Sequence, residues 1–173
     1  LGTLRRDGGT VRLFGQEMTD ADTALRERIG VVYDGDTLPG YLTAQTLGEI
    51  LRGMYARWDD ALYRAQLQAL GLPPKRRIGA YSRGMAMKLS IAAALSHHPE
   101  LLILDEATGG LDPILRDEML DTLLDFVQDE THAILMSSHI TSDLERIADY
   151  IVFIHGGRVL LTECKDELLY RYG

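Results

Sequence analysis

Short apolar runs alternate with longer stretches of helical periodicity along this chain. The runs at residues 10–14, 30–33, 101–104, 133–137 and 151–154 read as strands. A further β-like run at 158–161 follows Gly156 and Gly157, a turn signal that predicts a hairpin with the run before it. Residues 43–58 carry Leu47, Ile50, Leu51, Met54 and Tyr55 at helical spacing. Residues 61–70 repeat the pattern with Leu62, Ala65, Leu67 and Leu70, and Gly71 stops it. Residues 84–96 are nearly all small or apolar after Lys88, which predicts a buried helix. Residues 114–127 set Leu115, Met119, Leu123, Leu124 and Val127 on one side and acids on the other.

The runs at 101–104 and 133–135 are apolar at successive positions. That is the mark of a parallel sheet covered on both faces by helices. Residues 41–97 hold three successive helices without a clear strand and read as a helical insertion. The remaining residues, 1–40 and 98–173, form the α/β core.

Composition narrows the function. At 173 residues the chain can bury the core of one domain, and its 46% hydrophobic and 25% charged residues are those of an ordinary globular protein. No stretch has the roughly 18 apolar residues of a membrane helix, and Arg5, Arg6 and Asp7 with no apolar run after them do not read as a signal peptide. The one cysteine, Cys164, forms no internal disulfide, which suits a reducing cytoplasm. Lys and Arg number 18 against 26 Asp and Glu, a net charge of −8. That balance argues against non-specific nucleic-acid binding.

The strongest chemical element is Leu101-Leu102-Ile103-Leu104-Asp105-Glu106, an apolar strand ending in two adjacent carboxylates. Open α/β sheets bind ligands at the carboxyl ends of their strands. There Asp105 can hold a Mg²⁺ ion that bridges nucleotide phosphates through water, and Glu106 can orient or deprotonate an attacking water. An acidic turn after a strand is the plain alternative. Tyr81-Ser82-Arg83-Gly84-Met85 opens the buried helix, where a serine hydroxyl and free N–H groups make an anion site, or else an ordinary N-cap. Thr108-Gly109-Gly110-Leu111-Asp112-Pro113 and then Ser137-Ser138-His139 follow. His139 comes after an apolar strand, within reach of a terminal phosphate.

In their order these segments resemble the motifs of ABC transporter ATP-binding domains: the strand with its two acids, the signature motif, the D-loop and the switch histidine. The resemblance covers essentially the whole chain. It extends to Leu1-Gly2-Thr3-Leu4, similar to the end of the helix after the phosphate loop, and to residues 8–15, similar to the next strand. It implies a P-loop NTPase-like α/β fold with a mostly parallel sheet, flanking helices and a helical subdomain. It implies ATP and Mg²⁺ as ligands, and catalytic roles for Glu106 and His139. It also implies a second ATPase domain, identical or different, whose nucleotide meets Ser82, Arg83, Gly84 and Met85 of this chain, with Asp112 at the contact. A membrane permease would be the further partner, holding a cytoplasmic subunit at the inner face of the membrane.

The chain departs from the family pattern at several positions. No Gly-x-x-x-x-Gly-Lys-Ser/Thr phosphate loop occurs, and none of Lys75, Lys88 and Lys165 follows a glycine. Together with an opening Leu1, this leads us to expect a fragment that binds ATP weakly. Asp34 stands where the Q-loop glutamine is usual, a substitution that points to the Gram-positive-type export branch; a simple Asp34-Gly35 turn is the alternative. Arg83 replaces the signature's first glycine, Met85 its glutamine, and Ala107 a usual proline. Arg83 either adds positive charge near the partner's nucleotide or is a solvated side chain.

Other features carry only structural readings. Residues 75–77 are a solvated basic loop, and His97, His98, His132 and His155 show no metal-ligand spacing. Met54, Tyr55 and Trp58 read as core of the helical region, bordering the groove for a permease. Two other functions stay open: a soluble ABC ATPase acting on ribosomes or DNA, and a non-catalytic binding or dimerisation module.

Overall fold

A computed structural model describes residues 7–19, 21–35 and 37–172. The segment at Leu1–Leu4 likened above to a helix end lies outside them. The chain opens with a small antiparallel pair, β1 (Arg12–Leu13) and β2 (Gln16–Glu17), and a short helix α1 (Thr23–Glu27). The expected single strand at 10–14 is thus a turn-bound hairpin, because Phe14 and Gly15 both take positive φ, 52° and 77°, and reverse the chain.

The centre is a three-stranded parallel sheet of β3 (Ile29–Tyr33), β4 (Leu101–Asp105) and β5 (Ala133–Ser137), in that order. Between β3 and β4 run α2 (Ala44–Met54), α3 (Asp60–Ala69), a 3₁₀ turn at Ile78–Ala80 and α4 (Arg83–Leu95). Helix α5 (Pro113–Phe126) joins β4 to β5, and α6 (Thr141–Ile147) follows. A hairpin of β6 (Tyr150–His155) and β7 (Arg158–Cys164), then α7 (Lys165–Tyr172), ends the chain. Its two-residue loop has φ of 55° and 72° at Gly156 and Gly157, a backbone that glycine adopts without strain.

Side-chain caps set the starts of four helices. Thr43 accepts from Thr46 N at 3.1 Å, Asp59 from Leu62 N at 2.8 Å, Ser82 from Met85 N at 3.2 Å and Asp112 from Leu115 N at 3.1 Å. Pro113 follows Asp112 at the first helical position, where its missing N–H costs nothing.

Two apolar clusters meet at α4. On one side Val32, Leu102 and Leu104 of the sheet pack with Met87, Ile91, Leu120 and Leu123. On the other Leu47, Tyr63, Leu67, Leu72 and Ile78 surround Leu89 and Ala92. A helix buried on both sides has no polar stripe, which is why residues 84–96 read as apolar all round. Gly48 leaves room for the Tyr63 ring, whose hydroxyl donates to Ala44 O at 2.8 Å.

Among the described residues, Leu102, Leu104, Ile134 and Met136 point from one face of the sheet to α4 and α5. On the other side Leu135 is 61% exposed among the described residues. The Met54–Tyr55–Trp58 cluster also divides. Met54 is exposed, Tyr55 stacks on His97 at 4.0 Å, and Trp58 packs on Tyr63 at 5.0 Å.

His97 is buried, with Nε2 3.2 Å from Ile29 O. Burial pushes its imidazole below the usual histidine range, against the pull of the Ile29 and Ala93 carbonyls.

Two outcomes follow. Leu123 is fully buried, so Leu123→Ala is expected to cost about 2–5 kcal/mol in urea denaturation. Exposed Ile114→Ala is expected to stay within about 0.5 kcal/mol. The second concerns acid. Below the unfolded histidine pKa, about 6.5, the unfolded chain takes up a proton that folded His97 refuses, so stability falls as pH falls. Denaturation midpoints between pH 7 and pH 5 are expected to fall less steeply in His97→Gln.

Candidate functional site

The parallel register aligns Tyr33 with Asp105 and Asp105 with Ser137, so three strands end at one level. Asp34 continues from β3 and donates its N–H to Asp105 O at 2.9 Å. Asp34, Asp105 and Glu106 therefore share the carboxyl edge of the sheet.

Ser137 organises the two acids of β4. Its hydroxyl donates to Asp105 Oδ1 at 2.7 Å and accepts from Glu106 N at 3.0 Å. The same amide also reaches Ser137 O at 3.2 Å. Glu106 has φ of 51°, a conformation that costs a non-glycine residue about 1 kcal/mol or more and turns the chain sharply off the strand. That turn brings the Glu106 Oε2 to 2.6 Å from His139 Nδ1. The hydrogen bond requires Nδ1–H as donor when Glu106 is ionised, which leaves Nε2 of His139 outside this bond. His139 is 73% exposed and Glu106 39%, so the pair is open to a ligand.

The signature-like segment divides. Ser82 is exposed and spends its hydroxyl on the cap of α4. Gly84 is buried, and a Cβ there would meet the tip of the Leu115 side chain, which would have to shift. Met85 leans into the helical cluster. Arg83 reaches back to the carboxyl edge: its guanidinium donates to Asp34 Oδ1 at 2.5 Å and to Gly109 O at 2.6 Å.

The structure thus gathers Asp34, Arg83, Asp105, Glu106 and His139 at one edge. No hydrogen bond or ion pair among the described residues joins Ser82, Met85 or Asp112 to them, and Asp112 serves as the cap of α5. Sequence reasoning passed over Ser137. Its signal is a hydroxyl residue at the last position of an apolar strand, two residues before the switch-like histidine.

No group of three or more acids, histidines or cysteines is arranged to hold a metal among the described residues. This donor set fits Mg²⁺, which binds through one or two carboxylates and keeps water and phosphate as its other ligands.

A family model described as "ABC transporter" matches residues 1–109. The chain is 33% identical over 168 residues to the bacitracin transport ATP-binding protein BcrA of Bacillus licheniformis, covering 92% of this chain and 53% of that protein. It is 32% identical over 166 residues to the lantibiotic transport ATP-binding protein SrtF of Streptococcus pyogenes, covering 95% and 71%. A solved ATP-binding subunit of an ABC transporter superimposes with a TM-score of 0.84 at 25% identity, covering 99% of this chain and 73% of that one. The chain spans about half the length of the bacitracin relatives.

If Ser137 orients both acids, Ser137→Ala is expected to shift the Glu106 amide resonance in ¹⁵N spectra and cost about 1 kcal/mol of stability in urea. An unmoved Glu106 amide would separate the serine from the acids.

Proposed function

Because the chain belongs to the ABC transporter family of ATP-binding proteins, we propose that it works as an ATP-hydrolysing motor that drives export through a separate membrane permease. The observation that carries this is the meeting of Asp105, Glu106, Ser137 and His139 at the carboxyl edge of a parallel sheet. The bacitracin and lantibiotic transport proteins among its relatives support the export direction.

The roles divide as follows. ATP would supply the phosphoanhydride bond, and Mg²⁺, when bound, would neutralise phosphate charge. Asp105, its carboxylate fixed by the Ser137 hydroxyl, would be the residue to hold the metal. Glu106 orients the attacking water and draws its proton. His139 steadies the Glu106 carboxylate through Nδ1, and in its doubly protonated form it would donate Nε2–H to the terminal phosphate. The exposed start of α4 at Ser82, with Gly84 and Met85 following it in the helix, would be the part of this chain nearest the nucleotide of a second ATPase domain, and Asp112 would lie at the contact between the two. Residues 41–97 act as the helical subdomain that carries closure and reopening to the permease.

The 173 residues contain no phosphate loop, so they supply the metal, water and partner sides of this site. Among the described residues no helix is long and apolar enough to cross a membrane. The permease would hold the subunit at the cytoplasmic face.

The test is hydrolysis by a form of the protein that carries a phosphate loop ahead of Leu1. Glu106→Gln is expected to lower kcat roughly 10²- to 10⁴-fold while nucleotide is still bound. Undiminished turnover would remove Glu106 from the chemistry. Robust hydrolysis by the 173 residues alone would contradict this division of the site.

A further inference from the structure

Two residues that depart from the family pattern, Asp34 and Arg83, lie 49 positions apart and touch. Arg83 is the third residue of the signature-like segment and the first of α4, whose start the Ser82 cap fixes. From there one guanidinium nitrogen holds Asp34 Oδ1 at 2.5 Å and Gly109 O at 2.6 Å. The guanidinium lies against the backbone of Gly110, whose φ is 66°. A Cβ on Gly110 would stand 2.8 Å from Arg83 Cζ, so the turn after Glu106 is shaped to let the arginine through.

The charges around this contact give it a purpose. Asp34, Asp105 and Glu106 share one edge, joined through Asp34 N to Asp105 O, and His139 already engages Glu106. A free carboxylate at Asp34 repels a polyphosphate arriving at that edge. Arg83 is the arginine or lysine paired with Asp34 among the described residues. We infer that Arg83 is a positioning residue that neutralises Asp34 and ties it to the turn at residues 108–110, so that an acidic residue at the end of β3 is compatible with a nucleoside triphosphate. Arg83 then acts within its own chain, through Asp34, rather than on the nucleotide of a partner. The inference rests on the ATP-binding reading above.

The test joins two measurements. In the form of the protein that carries a phosphate loop, affinity for Mg·ATP is read with a fluorescent ATP analogue. Amide hydrogen exchange is read on the same protein without nucleotide. Arg83→Met leaves Asp34 uncompensated and is expected to weaken binding about tenfold, the order of one unscreened charge near a phosphate. Asp34→Asn in the same chain is expected to restore affinity to within about twofold of the parent. Arg83→Lys, which keeps the charge, is expected to retain most of it. Without nucleotide, Arg83→Met is expected to exchange several-fold faster at residues 108–111 while α4 keeps its protection, which also shows that the variant folds. A loss of affinity that Asp34→Asn does not relieve would place Arg83 directly on the nucleotide and overturn the inference. Unchanged affinity in Arg83→Met, or unchanged exchange at residues 108–111, overturns it as well. If the unsubstituted protein binds no nucleotide, the functional reading fails, and the exchange result alone decides whether Arg83 ties Asp34 to the turn.

Discussion

The parallel register of β3, β4 and β5 is the constraint on which the rest depends. Each strand gives its even-spaced side chains to one buried face: Val32 on β3, Leu102 and Leu104 on β4, Ile134 and Met136 on β5. Sliding β5 by one residue moves its ends by about 3.3 Å and sends Ile134 and Met136 to the open face. The apolar core therefore fixes the pairing of Asp105 with Ser137, and with it the hydrogen bonds that hold both acids. Chemistry at the strand ends is located by burial one and three residues earlier.

Helix α4 connects this edge to the helical region. Its buried residues fall into both apolar clusters, with Leu89 fully covered in one and Met87 and Ile91 in the other. It cannot shift relative to the sheet without repacking both clusters, and close-packed interiors resist gradual deformation. Motion of the helical region is thereby felt at Ser82 and Arg83. The motif residues also carry the fold. Ser82 and Asp112 each cap a helix, worth about 1 kcal/mol, and Gly84 packs against the Leu115 side chain. Loss of activity on changing them mixes folding with function, whereas Glu106 and His139, exposed and bonded to each other, separate the two.

Much of this was legible in the chain because the strong elements have strong local signals. The apolar runs gave β3, β4 and β5, the Gly156-Gly157 pair gave the last hairpin, and the periodic stretches gave α2 to α5. The short helices escaped. Helix α6 has a polar sequence with only Leu144 and Ile147 as large apolar residues, and tertiary ion pairs from Arg146 to Asp117 and Asp121 tie it down. Helix α7 is similarly polar. The continuous apolarity of β5 predicts cover on both faces, and hydrophobicity reports a capacity for burial without naming the neighbour that the described residues supply. Leu135 shows the difference. Among the site residues, Asp105, Glu106 and His139 could be found because each stands at the end of an apolar run. The bonds of Ser137 and Arg83 depend on register and on a helix start, which no single local window contains.

The Arg83–Asp34 contact also shows why stability is a poor guide to such a pair. Both side chains are nearly half exposed, at 49% and 44%, and ion pairs in that setting contribute about 0–1 kcal/mol. A fold does not need this contact. An incoming polyanion at the same edge changes the balance, because it excludes water and lowers the local dielectric, and each nearby charge then counts for more. Arg83 was expected either beside a partner's nucleotide or free in solvent. Its bonds to Asp34 and Gly109 instead direct it inward, where it offsets the one carboxylate of the edge that neither Ser137 nor His139 engages. The two departures from the family pattern thus have a common physical explanation, since the charge introduced by one is answered by the other.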